Sequence, residues 1–351
     1  MRMKTATALI AALTLVSSNA KAQENSITYY LPQTALQMRL SVEKTEYTPG
    51  QFAAYAKRYM KKQNVPQQAQ TSYRLLDIKT TTIAVPDTNK CFHLSTDKKY
   101  NIHHVQRTDN GILLAINTQN KNYQPQERNR QTQVMIARPL PPRLEDFMNE
   151  DILTAGSTAK MAELTAQEIY DIRDSRNQLQ RGQAEFMPKD GQQLKIMMSG
   201  LDKQEKALMQ TFEGVTAKDT TEVIVVFVPQ KTKEKQLVFR FSQFYGVTDN
   251  DDLSGTPYYA EVEDLNTTQQ TSEPDRDSKD DLNLHVCIPG KISVTLVNDR
   301  NEQIKKYDLY AAQFGTTEQL SGALFGKKQT SQIVFNHVTG GIESINEETD
   351  R

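Results

Sequence analysis

Leu36, Met38, Leu40 and Val42 alternate with Gln37, Arg39 and Ser41, a period of two that predicts a strand with one buried face. A helix is predicted next. Thr48-Pro49-Gly50-Gln51 has the spacing of a capping box with proline at the first helical position. Phe52, Tyr55, Ala56 and Tyr59 then recur on one helical face. Residues 73–85, 91–94 and 112–116 read as further strands, with Asp109-Asn110-Gly111 as a turn. One helix against several antiparallel strands predicts a small α+β unit.

The period changes in the middle of the chain. Ala162, Thr165, Ile169, Ile172, Arg176 and Leu179 step by three and four and stop before Gly182. Leu194, Met197, Leu201, Gln204, Leu208 and Thr211 repeat the pattern up to Gly214, with Asp190 and Gln193 as N-cap and partner. Two long helices joined by a short loop are expected to pair as an antiparallel hairpin. Met197, Met198 and Met209 read as core filler, although methionine-rich faces also bind partners. From residue 221 the pattern is β. Residues 223–228 and 237–241 flank a charged turn and suggest a hairpin. Segments 258–262, 284–288, 292–297, 304–310, 333–335 and 342–345 add strands, with turns at 298–301 and Gly340-Gly341.

The expected fold class is therefore α+β: an N-terminal α+β domain (23–117), a polar and proline-rich linker (118–150), a long antiparallel helical hairpin (151–214) and a C-terminal antiparallel β-sandwich-like domain (215–351). Residues 264–281 form a polar, net-acidic insertion read as a mobile loop.

Residues 1–22 change this picture by supplying an address. Arg2 and Lys4 form a basic n-region, residues 6–16 an apolar h-region, and Ala20-Lys21-Ala22 an A-x-A cleavage site before Gln23. The apolar run is too short to span a bilayer, so it reads as a secretory signal peptide, cleaved after Ala22. No cysteine follows to accept a lipid. Removing Arg2, Lys4 and Lys21 moves the formal charge from -1 to -4. A mildly acidic chain without a basic block is a poor match for nucleic acid or an anionic lipid surface. No later apolar run has the length of a membrane-spanning helix. The two cysteines, Cys91 and Cys287, fall in different expected domains. An oxidising compartment would permit a bridge stabilising by ~4–5 kcal/mol through loop closure, while the simpler reading is two separate buried thiols.

Each catalytic motif fails a physical test. Ser157-Thr158-Ala159-Lys160 has the serine–lysine spacing of penicillin-binding enzymes but no K-T-G strand, and the same spacing recurs at Ser41–Lys44 and Ser95–Lys98, so Ser157 reads as a helix cap. Gly322 and Gly326-Lys327 enclose too few residues for a phosphate loop, and Lys328 replaces its hydroxyl. His93, His103 and His104 lack metal-ligand spacing, because strand neighbours point to opposite faces. Asp249-Asn250-Asp251-Asp252 is rich in oxygen but fails as an EF-hand and reads as an acidic turn closed by Ser254-Gly255. The Tyr29-Tyr30 and Tyr258-Tyr259 pairs would stack on sugars if exposed, but strand alternation explains them equally well. No residue is assigned as catalytic, cofactor-binding or metal-ligating, and no cofactor is implied.

Several phrases carry a family resemblance: Ile27-Thr28-Tyr29-Tyr30-Leu31-Pro32, the run from Val42 to Gly50, Tyr55-Ala56-Lys57-Arg58-Tyr59, Asp190-Gly191, Asp251-Asp252-Leu253-Ser254-Gly255, Gln313-Phe314-Gly315 and Thr339-Gly340-Gly341-Ile342. In order, and across nearly the whole mature chain, they resemble an uncharacterised exported family of Bacteroidales-type bacteria, domain of unknown function family 4831. The resemblance implies a Gram-negative envelope, with the periplasm as compartment and the cell surface or secretion as alternatives. It carries over no catalytic or binding residue. The expected function is that of a non-catalytic envelope protein acting on an envelope protein or glycan or as a structural component. The alternative is a periplasmic hydrolase whose site is assembled from distant residues. The mature protein is expected to begin at Gln23; intact mass of the exported chain checks this, and a retained leader would contradict it.

Overall fold

The computed structural model describes residues 26–124, 144–266, 282–327 and 330–348. The expected signal peptide, most of the expected linker (125–143) and most of the acidic insertion (267–281) lie outside the described residues.

The described residues open with β1 (Ser26–Thr48), a strand of 23 residues, far longer than the alternating segment that predicts it. A 3-10 turn (Ala53–Tyr55) and one helical turn, α1 (Ala56–Tyr59), follow. The expected capping box does not form. Phe52 stands at the N-cap position with no side-chain bond, and its amide donates instead to the Thr211 carbonyl at 2.7 Å. The apolar face is nevertheless buried through Phe52 and Ala56. Segments 73–85 and 91–94 belong to one strand, β2 (Gln70–Ser95). Next come β3 (Val105–Arg107), for which the pattern gives no signal, and β4 (Leu113–Ile116). The expected turn between them holds, with Gly111 at φ +82°.

After a short helix, α2 (Glu150–Leu153), the long helices are α3 (Thr158–Arg181) and α4 (Gly191–Glu213). Ser157 Oγ caps α3 by accepting from the Lys160 amide, and Asp190 caps α4 by accepting from the Gln193 amide at 2.8 Å. Gly182 closes α3 in the left-handed region at φ +69°.

The strands β5 (Val215–Phe227), β6 (Gln236–Ser242), β7 (Gly246–Thr248), β8 (Thr256–Asp264), β9 (Leu284–Val297), β10 (Gln303–Leu320), β11 (Thr330–Phe335) and β12 (Ile342–Glu348) complete the chain. The expected β5–β6 hairpin is not made. β5 pairs with β1, and β6 with β7 and β8, so the two strands lie in different sheets. Phe227 meets Val238 and Phe239 through side chains in one core instead.

Among the described residues three antiparallel sheets result, in the orders β2-β1-β5, β10-β9-β8-β6-β7 and β12-β11-β4-β3. The fold is α+β. Strands from 26–116 and from 215–348 are neighbours in two of these sheets, through β1–β5 and β4–β11. Two cores sit along the long strands. In the first, Leu36, Met38, Leu40 and Val42 of β1 face Phe239, Ile292, Val294 and Leu296. In the second, Tyr29 and Leu31 meet Leu284, Val286, Ile116, Ile333 and Phe335. The buried positions of β1 change from odd to even numbers between the two cores. The switch falls where its pairing with β2 slips, between Tyr30 and Pro32, because a one-residue slip turns side chains to the other face.

β9 and β10 break register at the same level, between Ala311 and Thr316. There the backbones at Gly290 and Gly315 approach the Phe314 and Ile288 carbonyls too closely for any Cβ. Gln313 reaches from this bulge to the point where β5 has ended. Its Oε1 accepts from the Thr34 amide at 3.0 Å, and its Nε2 donates to the carbonyls of Thr34 and Pro229. The wholly buried Thr34 hydroxyl donates to Val338 and accepts from the Ala312 amide.

A third core is helical and lies beyond the far end of β1. Phe52, Ala56 and Met60, together with Met148 and Ile152, cover Ala162, Ile169 and Ile172 of α3 and Leu208 and Phe212 of α4. Arg173 pairs with Glu205, and Arg176 with Asp202 and Glu205. Numbers rise along one helix as they fall along the other, so α3 and α4 run in opposite directions.

Thr34→Val keeps the side-chain shape but strands the Val338 carbonyl and the Ala312 amide in the interior. Loss of about 1–3 kcal/mol is expected, read as a lower urea midpoint with an unchanged slope. A midpoint equal to the parent's would refute the role of this hydroxyl.

Candidate functional site

A concavity lies where β9, β10 and the β11–β12 turn meet. The turn is built by Asn336, whose Oδ1 accepts from the Val338 and Thr339 amides, while Gly340 takes φ +70°. It is pinned on two sides: Thr34 Oγ1 holds the Val338 carbonyl, and the Cys287 amide donates to the Gly340 carbonyl at 3.1 Å. Between this turn and the β9–β10 ladder runs a groove of about 540 Å³. That volume lies within the range of small-ligand and peptide-side-chain sites.

The lining is mostly apolar. Val286, Ile288 and Pro289 form one wall, Tyr310 and Leu320 a second, and Ile342 a third, with Glu318 and Glu343 among the polar residues. Ile288 is 40% exposed and Tyr310 56% exposed, large fractions for such side chains. β12 is the end strand of its sheet, so an extended backbone alongside would meet a strand edge. Glu343 accepts from Asn336 Nδ2 at 2.9 Å, which fixes its carboxylate at the rim.

Cys287 also lines this groove, but its chemistry is quiet. It is buried, its Sγ donates to the Ala312 carbonyl, and burial pushes the thiol pKa up to about 11 against the pull of Lys90. A thiol so poorly ionised is no nucleophile at neutral pH. Both cysteines are free, Cys91 on the surface. Burial also lowers the pKa of His337, beside the groove on the same turn, which favours the neutral ring.

The residues weighed for chemistry are scattered. His93 bonds Thr28 Oγ1, whereas the backbone amides of His103 and His104 bond Asn117 Oδ1. Among the described residues no three His, Cys, Asp or Glu side chains gather to hold a metal. Lys160 Nζ pairs with Glu163, away from the Ser157 hydroxyl's capping bond. The acidic turn is held by Asp252 Oδ1 accepting from the Ser254 amide, a bond that lowers that carboxyl's pKa, and by Arg240 donating to the Asn250 and Gly255 carbonyls. Tyr29 is wholly buried, and Tyr258 stacks on Phe239 with centroids 4.5 Å apart.

A second surface lies at the far end of the helices. Beyond the third core few apolar positions are covered: Leu179 of α3 is buried, and Leu194 and Met198 of α4 are half-buried. Met198 takes the inward position that spacing offered to Met197, which is exposed. Phe186 is 81% and Ile196 65% exposed, with Met187 and Met197 beside them in sequence. Among the described residues no helix is long and apolar enough to cross a membrane.

Three antiparallel sheets around two cores, with a helical pair at one end, define a β-rich α+β protein. The chain belongs to the family described as Domain of unknown function (DUF4831), which matches residues 25–343. No curated protein and no solved structure matches it. The phrases carrying the resemblance fall largely at joints of the fold. Pro32, Gln313-Phe314-Gly315 and Thr339-Gly340-Gly341 meet around Thr34, while Thr48-Pro49-Gly50 contacts the end of α4. No local pattern signals the groove, because its walls are hundreds of residues apart from the strand that fixes them.

In native protein at mildly alkaline pH, a thiol reagent is expected to label Cys91 quickly and Cys287 only on unfolding. Intact mass would show one adduct before denaturation and two after. Two rapid adducts would contradict the buried, poorly ionised Cys287.

Proposed function

We propose that this is a non-catalytic, exported cell-envelope protein that works by binding another protein. The observation that carries this reading is the groove between the β9–β10 ladder and the β11–β12 turn: apolar, partly open, and framed by backbone locked on two sides. An apolar lining suits a polypeptide side chain better than a glycan, whose hydroxyls need many polar partners. The signal-like leader supports delivery to the periplasm. On this reading the sheets form the body, and the helical hairpin is an arm set on one end of it.

The test is capture from the envelope fraction by wild-type protein and by an Ile288→Asp, Ile342→Asp variant. Both side chains are partly exposed, so the variant should keep its melting temperature. The wild type is expected to retain a protein that the variant loses, by about tenfold or more for two charges placed in an apolar contact. Equal capture by both, or recovery of no protein by either, would overturn the reading.

A further inference from the structure

The far end of the helical pair points to a different kind of partner, independently of the groove. α3 runs on for nine residues past Ile172, the last α3 residue in the helical core. At 1.5 Å per residue this is a projection of about 13 Å. Phe186 and Met187 lie in the loop at its apex, and Ile196 and Met197 on the second turn of α4, all exposed. Arg181, Lys189 and Lys195 neighbour them in sequence, and none makes an ion pair among the described residues. The acids nearby are Glu185 and Asp190, and the Asp190 carboxylate is engaged in capping α4.

Three partners could cover such a surface, and shape, area and charge separate them. The tip is the end of only two helices, whereas a protein docking face needs a broad complementary patch. Four partly exposed side chains supply a few hundred Å², well short of the ~800 Å² per partner typical of a stable dimer. Two tips meeting face to face would also bring their cations together. An interface of lipid headgroups meets all three conditions. It is soft enough to receive a narrow apolar knob, and its phosphates complement lysine and arginine. The net negative charge of the whole chain does not weigh against this, because at physiological salt charges beyond ~8 Å are largely screened. At the tip Arg181, Lys189 and Lys195 outnumber Glu185 and Asp190, and this local excess of one positive charge sets the field there.

We infer that the apex of the helical pair inserts Phe186, Met187, Ile196 and Met197 into the surface of an anionic lipid bilayer, with Arg181, Lys189 and Lys195 on its headgroups. The helices themselves stay outside the hydrocarbon, as their charged and glutamine-rich faces require.

The experiment is co-sedimentation of the mature chain with vesicles of phosphatidylethanolamine and phosphatidylglycerol, and with vesicles of phosphatidylcholine alone. Wild-type protein is expected to sediment with the anionic vesicles, and less so as salt is raised. Phe186→Ser with Ile196→Ser should lower the bound fraction about tenfold or more, and Lys189→Glu with Lys195→Glu about tenfold. All four positions are exposed, so an unchanged melting temperature separates loss of binding from loss of fold. Absence of the wild type from anionic vesicles would overturn the inference, as would sedimentation unaffected by the two serine substitutions. Self-association that those substitutions abolish, without vesicle binding, would overturn it in favour of a second copy of the chain.

Discussion

The buried contact between Thr34 and Gln313 is the constraint on which the rest of the β-structure depends. At this level β5 has ended, and the pairing that would continue it falls on Pro229, which has no amide hydrogen to offer. The Gln313 side-chain amide takes over, serving both the N–H and the C=O of Thr34. Leaving those groups unpaired in the interior would cost more than any single apolar contact nearby returns. The same bulge brings Gly315 under the Ile288 carbonyl and the Ala312 amide onto the Thr34 hydroxyl. One joint therefore bends two pairs of long strands together and lets each pair serve two cores.

The groove is a direct consequence. Because the Thr34 hydroxyl also holds the Val338 carbonyl, the β11–β12 turn is fixed relative to β1 and, through Cys287, to β9. The turn cannot close onto the β9–β10 ladder without breaking buried hydrogen bonds. Ile288, Tyr310 and Ile342 are consequently left partly exposed around a cleft of defined shape. A rigid frame of this kind lowers the ordering cost of binding, since little of the site has to be immobilised on contact.

The helical end obeys a second, separate constraint. Gly50 lies against the Thr211 backbone, and Gly214 against the Thr48 carbonyl, with φ +76°. Tyr47 Oη reaches the Glu213 carbonyl at 3.0 Å, and Phe52 and Phe212 meet with centroids 5.4 Å apart. Strand β1 thus enters the helical core, and β5 leaves it, at one crossing. The proximal turns of α3 and α4 are buried there, while their distal turns have only each other. Such an arrangement holds the apolar apex away from the sheets, where no described residue of the body covers it.

Local structure was legible in the sequence wherever one face of one element decides it. The caps Ser157 and Asp190, the terminators Gly182 and Gly214, the turns at Gly111 and Gly340 and the alternation from Leu36 to Val42 all appear as read. So does the broad α+β class, since periods of two and of three-to-four are written into single segments. Pairing was not legible. β5 and β6 look like a hairpin from their flanking charged turn, yet Pro229 and the Gln313 amide send them to different sheets. The Thr48–Gln51 spacing looks like a helix cap, yet the Phe52 amide finds the Thr211 carbonyl. Gln313 itself is a polar residue in a strand, with nothing local to mark it as the partner of Thr34. Sequence alone determined most of the inward positions within each element, Met197 against Met198 being an exception; tertiary structure decided which elements meet. Burial periodicity is a property of neighbours along the chain, whereas hydrogen-bond completion and close backbone approach are settled between residues far apart in it.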